Sequence, residues 1–187
     1  MAENNRPLSP QDIDPEYLEQ VTTQSYAKKP VIEGVQVVPL NIFGAEDGYF
    51  LEMARLDGKG NLLALPDFNV RQISYSSVMP GGIKAWHIHY KQEDVWFIPP
   101  DSSVLLGLCD LRKDSPTCNT QMRLTLGNHK AQLVLIPRGV AHGCANVSGS
   151  PINMIYFTNE VFNSEDPDEH RLPWDFFGSD FWEVKNG

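Results

Sequence analysis

The sequence predicts an all-β fold, arranged as an antiparallel sandwich or barrel in a single domain. From Val35 onward, short apolar or alternating segments are interrupted by Gly, Pro, Asn and Asp, the pattern of many short strands joined by turns. The 187 residues, 41% of them hydrophobic, suffice for one packed core but not for two ordinary domains. We therefore divide the chain into an N-terminal arm over 1–30 and a barrel with a C-terminal tail over 31–187.

The individual elements follow from local patterns. In the arm, Asp14, Pro15 and Glu16 have the order of an N-cap, a first-turn proline and an acidic first turn, which predicts a short helix over 15–20. Alternation predicts strands over 35–40, 49–55, 68–76, 83–89, 95–98, 104–111, 120–126, 132–136, 143–147 and 152–158. The charged segment 159–172 predicts a loop. The tail is expected to pack on the barrel as a lid or plug through Trp174, Phe176, Phe177, Phe181 and Trp182.

Charge and cysteine content restrict the partners and the compartment. A formal net charge of −9 argues against nucleic acid or an anionic membrane as partner, since both require a basic surface. The sequence has no apolar run of about 18 residues, and "MAENNRPLSP" lacks the basic and apolar regions of a signal peptide. Cys109, Cys118 and Cys144 are odd in number and have no CxxC spacing. We therefore expect a cytoplasmic protein with free thiols that acts on a small molecule.

Two histidine-containing segments are the candidates for chemistry. In "GGIKAWHIHYKQED", residues 81–94, His87 and His89 are two apart and so project from the same face of a strand, with Glu93 a turn behind them. In "IPRGVAHGCAN", residues 136–146, a turn precedes a strand that carries His142. These histidines can be metal ligands, an acid–base pair or polar packing inside a barrel. Imidazole and carboxylate ligands suit Fe, Mn, Ni, Cu or Zn, and the sequence does not choose among these divalent metals.

The two segments resemble the signature of the cupin superfamily. Its first motif is matched by Gly81, His87, His89 and Glu93, and its second by Pro137, Gly139, His142 and Asn146. The resemblance implies a jelly-roll barrel, also described as a double-stranded β-helix. It also implies a complete metal-binding motif with the ligands His87, His89, Glu93 and His142.

A closer resemblance, from about Val35 to Trp182, is to the RmlC-like dTDP-4-dehydrorhamnose 3,5-epimerases of nucleotide-sugar biosynthesis. Its most specific segments are "LRKDSPT" and "IPRGVAHG". The resemblance implies a homodimer in which His87 removes the proton beside the keto group of a sugar and Tyr156 returns one from the opposite face. It places four residues in the pocket for the nucleotide sugar: Phe43, Glu52, Gln72 and His142.

Several positions depart from this family. The lysine that steadies the enolate falls on Asp94, and an arginine before the catalytic histidine falls on Lys84. Lys84 and Arg138 are candidates for binding phosphate or sugar hydroxyl groups, and Asp94 is a candidate proton carrier in a metal-assisted reaction. The segment that carries the aspartate partner of the histidine has no counterpart, so that the sequence identifies no group to fix the tautomer of His87.

The predicted function is an epimerase or isomerase acting on a keto-sugar, with the nucleotide-linked dTDP-4-dehydro-6-deoxyhexose type as one substrate class. The reaction proceeds either with His87 as a free base or with a divalent transition metal, because a ligated imidazole nitrogen is no longer a base. Two alternatives remain: a metal-dependent cupin of another class, such as a dioxygenase, and a non-catalytic sugar-binding cupin.

Overall fold

The computed structural model describes residues 6–185 and contains fourteen strands and one α-helix. The helix α1 covers Pro15–Leu18. The strands are β1 Gln36–Pro39, β2 Ile42–Ala45, β3 Gly48–Leu51, β4 Asn61–Leu62, β5 Leu65–Asn69, β6 Gln72–Val78, β7 Ile83–Ile88, β8 Asp94–Phe97, β9 Ser103–Asp110, β10 Gln121–Gly127, β11 Gln132–Ile136, β12 Val140–Ala145, β13 Ile152–Thr158 and β14 His170–Arg171. Short 3₁₀ helices cover Pro10–Asp12 and Ser179–Trp182. Within residues 6–185, no helix is long and apolar enough to cross a membrane.

The strands form two five-stranded antiparallel sheets and two hairpins. One sheet has the order β1-β11-β8-β13-β6 and the other the order β10-β9-β12-β7-β14. The hairpins are β2-β3 and β4-β5. The arrangement confirms the predicted all-β jelly roll, in which sequence-distant strands become neighbours: β12 pairs with both β7 and β9.

Alternation along each strand divides its side chains between the interior and an outer layer. On β8, Trp96 belongs to the core between the sheets, whereas Val95 and Phe97 pack into a second cluster with Leu62 and Phe157. On β7, Trp86 and Ile88 pack outward against the tail, and the intervening His87 lines the interior cavity. The two-residue period thus selects which side chains are available for chemistry.

The aromatic tail covers the outer face of β7 and β9. Trp86 is completely buried, and its ring centroid lies 5.0 Å from that of Phe177 and 4.7 Å from that of Trp182. A Cβ atom at Gly107 would lie 2.5 Å from Phe181, so only glycine permits this close approach. The predicted packing of the tail on the barrel is confirmed, although Trp174 and Phe176 remain partly exposed.

The predicted elements are largely confirmed, with shifted ends. Asp14 caps α1 by accepting a hydrogen bond from the Glu16 amide at 3.0 Å, but the helix ends at Leu18. The predicted strand over 68–76 is two strands, because β5 pairs with β4 whereas β6 pairs with β13. The short strands β2, β4 and β14 were not predicted. Residues 6–31 are exposed throughout, which agrees with an arm outside the core.

Candidate active site

A cavity of about 620 Å³ opens between the two sheets. One sheet contributes His87 from β7 and His142 from β12, and the facing sheet contributes Tyr156 from β13. The loop before β14 closes one side with Glu169. Two of the three predicted catalytic residues, His87 and Tyr156, therefore lie on facing walls of one cavity, and the third, Asp94, lies at its base among buried groups.

His87 is oriented by a carboxylate that sequence analysis did not identify. Its Nδ1 atom lies 3.1 Å from Oε2 of Glu169, at a point where β14 pairs with β7 and Arg171 is opposite His87. The hydrogen bond from His87 lowers the pKa of Glu169, so that the carboxylate is ionised near neutral pH. An ionised carboxylate only accepts hydrogen bonds, which puts the N–H on Nδ1 and leaves the lone pair on Nε2.

Tyr156 is half-buried on the opposite wall. Burial raises the pKa of its hydroxyl group, and the carboxylates of Asp94 and Glu169 act in the same direction, while a hydrogen bond with Ser74 partly offsets them. The phenol therefore remains protonated at neutral pH and is available as a proton donor.

Three buried groups converge at the base of the cavity. Oδ2 of Asp94 lies 3.4 Å from Nε2 of His142 and 3.9 Å from Nε2 of His89. These three residues are at most 3% exposed, and their ligand atoms all lie within 4.8 Å of one another. Burial raises the pKa of Asp94, but the contacts with His142 and His89 outweigh burial and lower it overall. The carboxylate is therefore ionised in a nearly dry environment.

The predicted ligand set His87, His89, Glu93 and His142 does not come together, which corrects the motif-based expectation. Glu93 contacts other partners: its Oε1 lies 3.5 Å from Nε of Arg138, and its Oε2 accepts a hydrogen bond from Asn159 at 3.4 Å. His87 is paired with Glu169 instead. Because adjacent residues of an extended chain project to opposite sides, the carboxylate that reaches the two histidines is that of Asp94, the residue after Glu93.

The predicted substrate-binding residues divide into two groups. Gln72, Lys84 and His142 line the cavity. Three others lie outside it: Arg138 contacts Glu93, Glu52 forms an exposed pair with Arg55 at 2.6 Å, and Phe43 lies on the β2-β3 hairpin.

The loop predicted over 159–172 supplies functional groups that sequence reasoning missed. Besides Glu169, it carries Asp168, whose carboxylate accepts hydrogen bonds from the backbone amides of residues 90–92 at 2.7–2.9 Å. Burial raises the pKa of Asp168, but these amide hydrogen bonds outweigh it and lower the pKa. Arg171 adds a cation to the cavity wall. The only sequence signal was the acidic "DPDEH", and the partners lie about 80 residues away, so no local pattern reveals the contact.

Comparisons with known proteins identify the family of the chain. The sequence profile of the dTDP-4-dehydrorhamnose 3,5-epimerases matches residues 29–176. The chain is 41% identical over 145 residues to the spore coat polysaccharide biosynthesis protein SpsL of Bacillus subtilis strain 168, covering 78% of this chain and 91% of that protein. It is 30% identical over 146 residues to the probable low-salt glycan biosynthesis epimerase Agl13 of Haloferax volcanii, covering 78% and 90%.

A solved structure resembles the chain over a similar range. The crystal structure of a dTDP sugar isomerase from Desulfovibrio desulfuricans G20 matches with a TM-score of 0.67 and 29% identity, covering 78% of this chain and 87% of that one. The family profile leaves out most of the N-terminal arm, since its match begins at residue 29.

Proposed function

Because the chain belongs to the dTDP-4-dehydrorhamnose 3,5-epimerase family, we propose that it epimerises a dTDP-linked 4-keto-6-deoxy sugar. The reaction inverts a carbon beside the keto group by removing a proton from one face and returning a proton to the other. The observation that carries the proposal is the His87–Glu169 pair in a cavity whose facing wall holds Tyr156.

His87 is the proposed base. With its N–H directed to Glu169, the lone pair of Nε2 is free to take the proton from carbon. The electron pair of the C–H bond then forms a C=C bond, and the keto oxygen becomes an enolate oxygen. Glu169 holds the imidazole in this tautomer and stabilises the positive charge that the ring acquires. It acts as a positioning residue through His87.

Tyr156 is the proposed acid. Its hydroxyl proton goes to the same carbon from the opposite wall, the enolate returns to the ketone, and the configuration at carbon is inverted. The resulting tyrosinate recovers a proton from solvent, and His87 releases the proton that it took. The raised pKa of Tyr156 keeps the phenol protonated before each turnover.

The nucleotide diphosphate requires local positive charge in a chain with a formal net charge of −9. Lys84 and Arg171 are the cationic side chains that line the cavity, and Lys84 is held by a hydrogen bond to Ser76 at 2.5 Å. We assign the diphosphate to these two residues. Arg138, which pairs with Glu93, is the weaker candidate.

The homodimer and the cytoplasmic location are part of this proposal. Support for the dimer comes from the β2-β3 hairpin, where Phe43 and Phe50 are 57% and 64% exposed although they pack on one another. In this proposal the hairpin that carries Phe43 docks on a second copy of the chain. The proposed cytoplasmic location is supported by the free thiols of Cys109, Cys118 and Cys144.

Solvent deuterium exchange tests the proposed reaction. The protein is incubated with dTDP-4-keto-6-deoxy-glucose in D₂O, and deuterium at the carbons beside the keto group is followed by NMR. We expect exchange with epimer formation, and we expect His87→Asn to reduce the rate about 1,000-fold, in the range for loss of a general base. Tyr156→Phe should still incorporate deuterium into the starting epimer but should form little of the inverted product.

Glu169→Gln separates a positioning role from a structural one. We expect the exchange rate to fall about 10- to 100-fold with a changed pH profile, and the fold to be retained. Glu165→Gln, in the same loop but not among the residues that line the cavity, is the matched control and should exchange at the wild-type rate. Undiminished exchange in His87→Asn would refute the assignment of the base, and absence of exchange in the wild-type protein would refute the activity on this substrate.

A further inference from the structure

The two buried histidines of the cavity have their tautomers set from outside the cluster. Nδ1 of His142 lies 3.0 Å from the carbonyl oxygen of Val140, and Nδ1 of His89 contacts the carbonyl oxygen of Asp168. A carbonyl oxygen only accepts, so both Nδ1 atoms carry the proton. In the neutral rings, both Nε2 atoms therefore present lone pairs, and both face Oδ2 of Asp94.

With neutral rings, this arrangement places three electron-rich atoms together, and in the part of the chain that the structure describes only neutral N–H groups approach them: Trp96 donates to Oδ2 of Asp94, and the amide nitrogen of Gln92 lies 3.5 Å from Nε2 of His89. These neutral donors offset the repulsion between a buried carboxylate oxygen and two imidazole lone pairs only in part, and a positive charge among the three atoms removes it. That charge is either a proton on an imidazole or a metal ion. Histidines that bind metals characteristically donate their other N–H to a backbone carbonyl or carboxylate, which is the pattern of both His89 and His142.

The carboxylate is also held as a ligand would be. Gln92 donates to Oδ1 of Asp94 at 2.8 Å, and the indole N–H of Trp96 donates to Oδ2 at 3.1 Å. These donors fix the plane of the carboxylate, and a lone pair of Oδ2 remains directed toward the histidines. Hydrogen-bonded ligating carboxylates are a regular feature of metal sites.

The two distances from Asp94 to the histidines are close to those between ligands of a transition metal. Two ligands about 2.1 Å from a metal lie about 3.0 Å apart at a right angle and about 3.4 Å apart in a tetrahedron. The 3.4 Å between Asp94 and His142 agrees with this value, and the 3.9 Å between Asp94 and His89 requires closure by about half an ångström. The cavity lies on the free side, where a substrate oxygen or water can complete the coordination.

We propose that His89, Asp94 and His142 bind one divalent transition metal ion. Binding rests on this geometry alone. Its role rests on the proposed epimerase function: a cation at the base of the cavity neutralises Asp94 and offsets the negative charge that develops on the keto oxygen when His87 removes a proton. Asp94 occupies the base of the cavity and supplies no positive charge of its own for this purpose. His87, whose ring centroid is 6.0 Å from that of His142, remains a free base beside the ion.

Metal binding is tested on the untagged full-length protein. The protein is stripped with a chelator and titrated with Co²⁺ and Zn²⁺ by calorimetry, and the visible absorption of Co²⁺ reports its ligands. We expect one ion per chain with Kd of about 1 μM or lower, and at least about 100-fold weaker binding in Asp94→Asn and in His89→Gln, each of which loses a ligand.

Glu93→Gln is the matched control, since it removes the adjacent carboxylate that the cupin motif predicts as a ligand. We expect it to bind Co²⁺ with wild-type affinity and spectrum. Circular dichroism verifies that each variant is folded, and two ligand variants keep the test valid if one does not fold. Absence of binding below about 100 μM in the wild-type protein, unchanged binding in both ligand variants, or loss of binding in Glu93→Gln would overturn the site.

The role is tested separately by deuterium exchange of stripped and metal-loaded protein. We expect removal of the ion to slow exchange at least about tenfold. Binding without any effect on exchange would overturn the role but not the site. Binding by a protein that exchanges no proton of the dTDP sugar in either form would refute the proposed function and leave the metal site standing.

Discussion

Two buried aspartates, Asp94 and Asp110, face opposite kinds of neighbours. Asp110 is completely buried and is surrounded by donors: Arg112 at 2.8 Å, Ser115 at 2.6 Å and Thr117 at 2.7 Å. Asp94 is 3% exposed, and beside its two donors it faces the Nε2 atoms of two histidines. Asp110 finds its hydrogen-bond donors in its own loop, whereas Asp94 lies at the proposed metal site.

The difference separates a structural carboxylate from a functional one. The partners of Asp110 lie within seven residues, so that they close the loop after β9, and Arg112 also donates to the carbonyl of Glu33 at 2.6 Å. The histidines that face Asp94 come from the segment directly after β7 and from β12, and the carbonyl of Asp168 in the loop before β14 contacts one of them, His89. A carboxylate satisfied by its own segment stabilises that segment, and one assembled from several elements at a cavity is available for binding.

Removing Asp110 should have the largest effect on stability. Asp110→Ala leaves Arg112 and two hydroxyl groups without their acceptor, and we expect the free energy of unfolding to fall by about 4 kcal/mol. Urea denaturation at pH 7 measures it. Asp114→Ala, an exposed carboxylate of the same loop, should change it by less than about 0.5 kcal/mol. Equal effects of the two substitutions would show that the loop does not depend on the buried carboxylate.

Asp94 should affect stability mainly through the metal ion. With chelator present, we expect Asp94→Asn to change the unfolding free energy by less than about 1 kcal/mol, because the amide also relieves repulsion at the histidines. With Zn²⁺ at about 100 times Kd, the wild-type protein should gain about 2.7 kcal/mol and the variant little. Paired denaturation curves with and without Zn²⁺ measure both values. A metal-independent loss of several kcal/mol in Asp94→Asn would make Asp94 a second structural carboxylate.

The contribution of Asp110 to stability should also decrease in acid. Burial raises the pKa of Asp110, but the hydrogen bonds from Arg112, Ser115 and Thr117 outweigh burial and lower it well below its usual range. A folded-state pKa below the unfolded value of about 3.9 gives stability that is complete above that pH and is lost as the pH falls. The stability difference between wild type and Asp110→Asn should therefore narrow below about pH 4, by at most about 1.4 kcal/mol per pH unit. Denaturation at pH 7, 5, 4 and 3 measures this difference. A value that does not change with pH would show that the ionised carboxylate of Asp110 is not the source of the stability.

Much of the fold could be predicted because its signals are local. Alternation located most strands, since side chains of a strand face opposite environments every second residue. The turn before His142 and the cap of α1 were visible in Gly, Pro and Asp positions. The break between β5 and β6 could not be predicted from the sequence, because it depends on the strand with which each half of the segment 68–76 pairs.

The candidate site was predictable only in part. The motif identified His87, His89 and His142 by spacing, but it predicted Glu93 as the carboxylate. In the structure, Glu93 contacts Arg138 and Asn159, and the carboxylate that reaches the histidines belongs to the next residue, Asp94. A spacing pattern cannot decide between adjacent carboxylates, because the choice depends on which of them faces the other sheet.

By itself the sequence determined an all-β chain, the strand faces that carry His87 and Tyr156, the spacing that places His89 beside His87, and a resemblance to the epimerase family. These follow from the two-residue period and from motif spacing, which are properties of short segments. Only the tertiary structure decided that Glu169 orients His87 and that Asp94 joins His89 and His142. Both contacts bring together elements that meet only when the sheets pack and the loop before β14 returns to β7, and such long-range pairings leave no trace in local sequence.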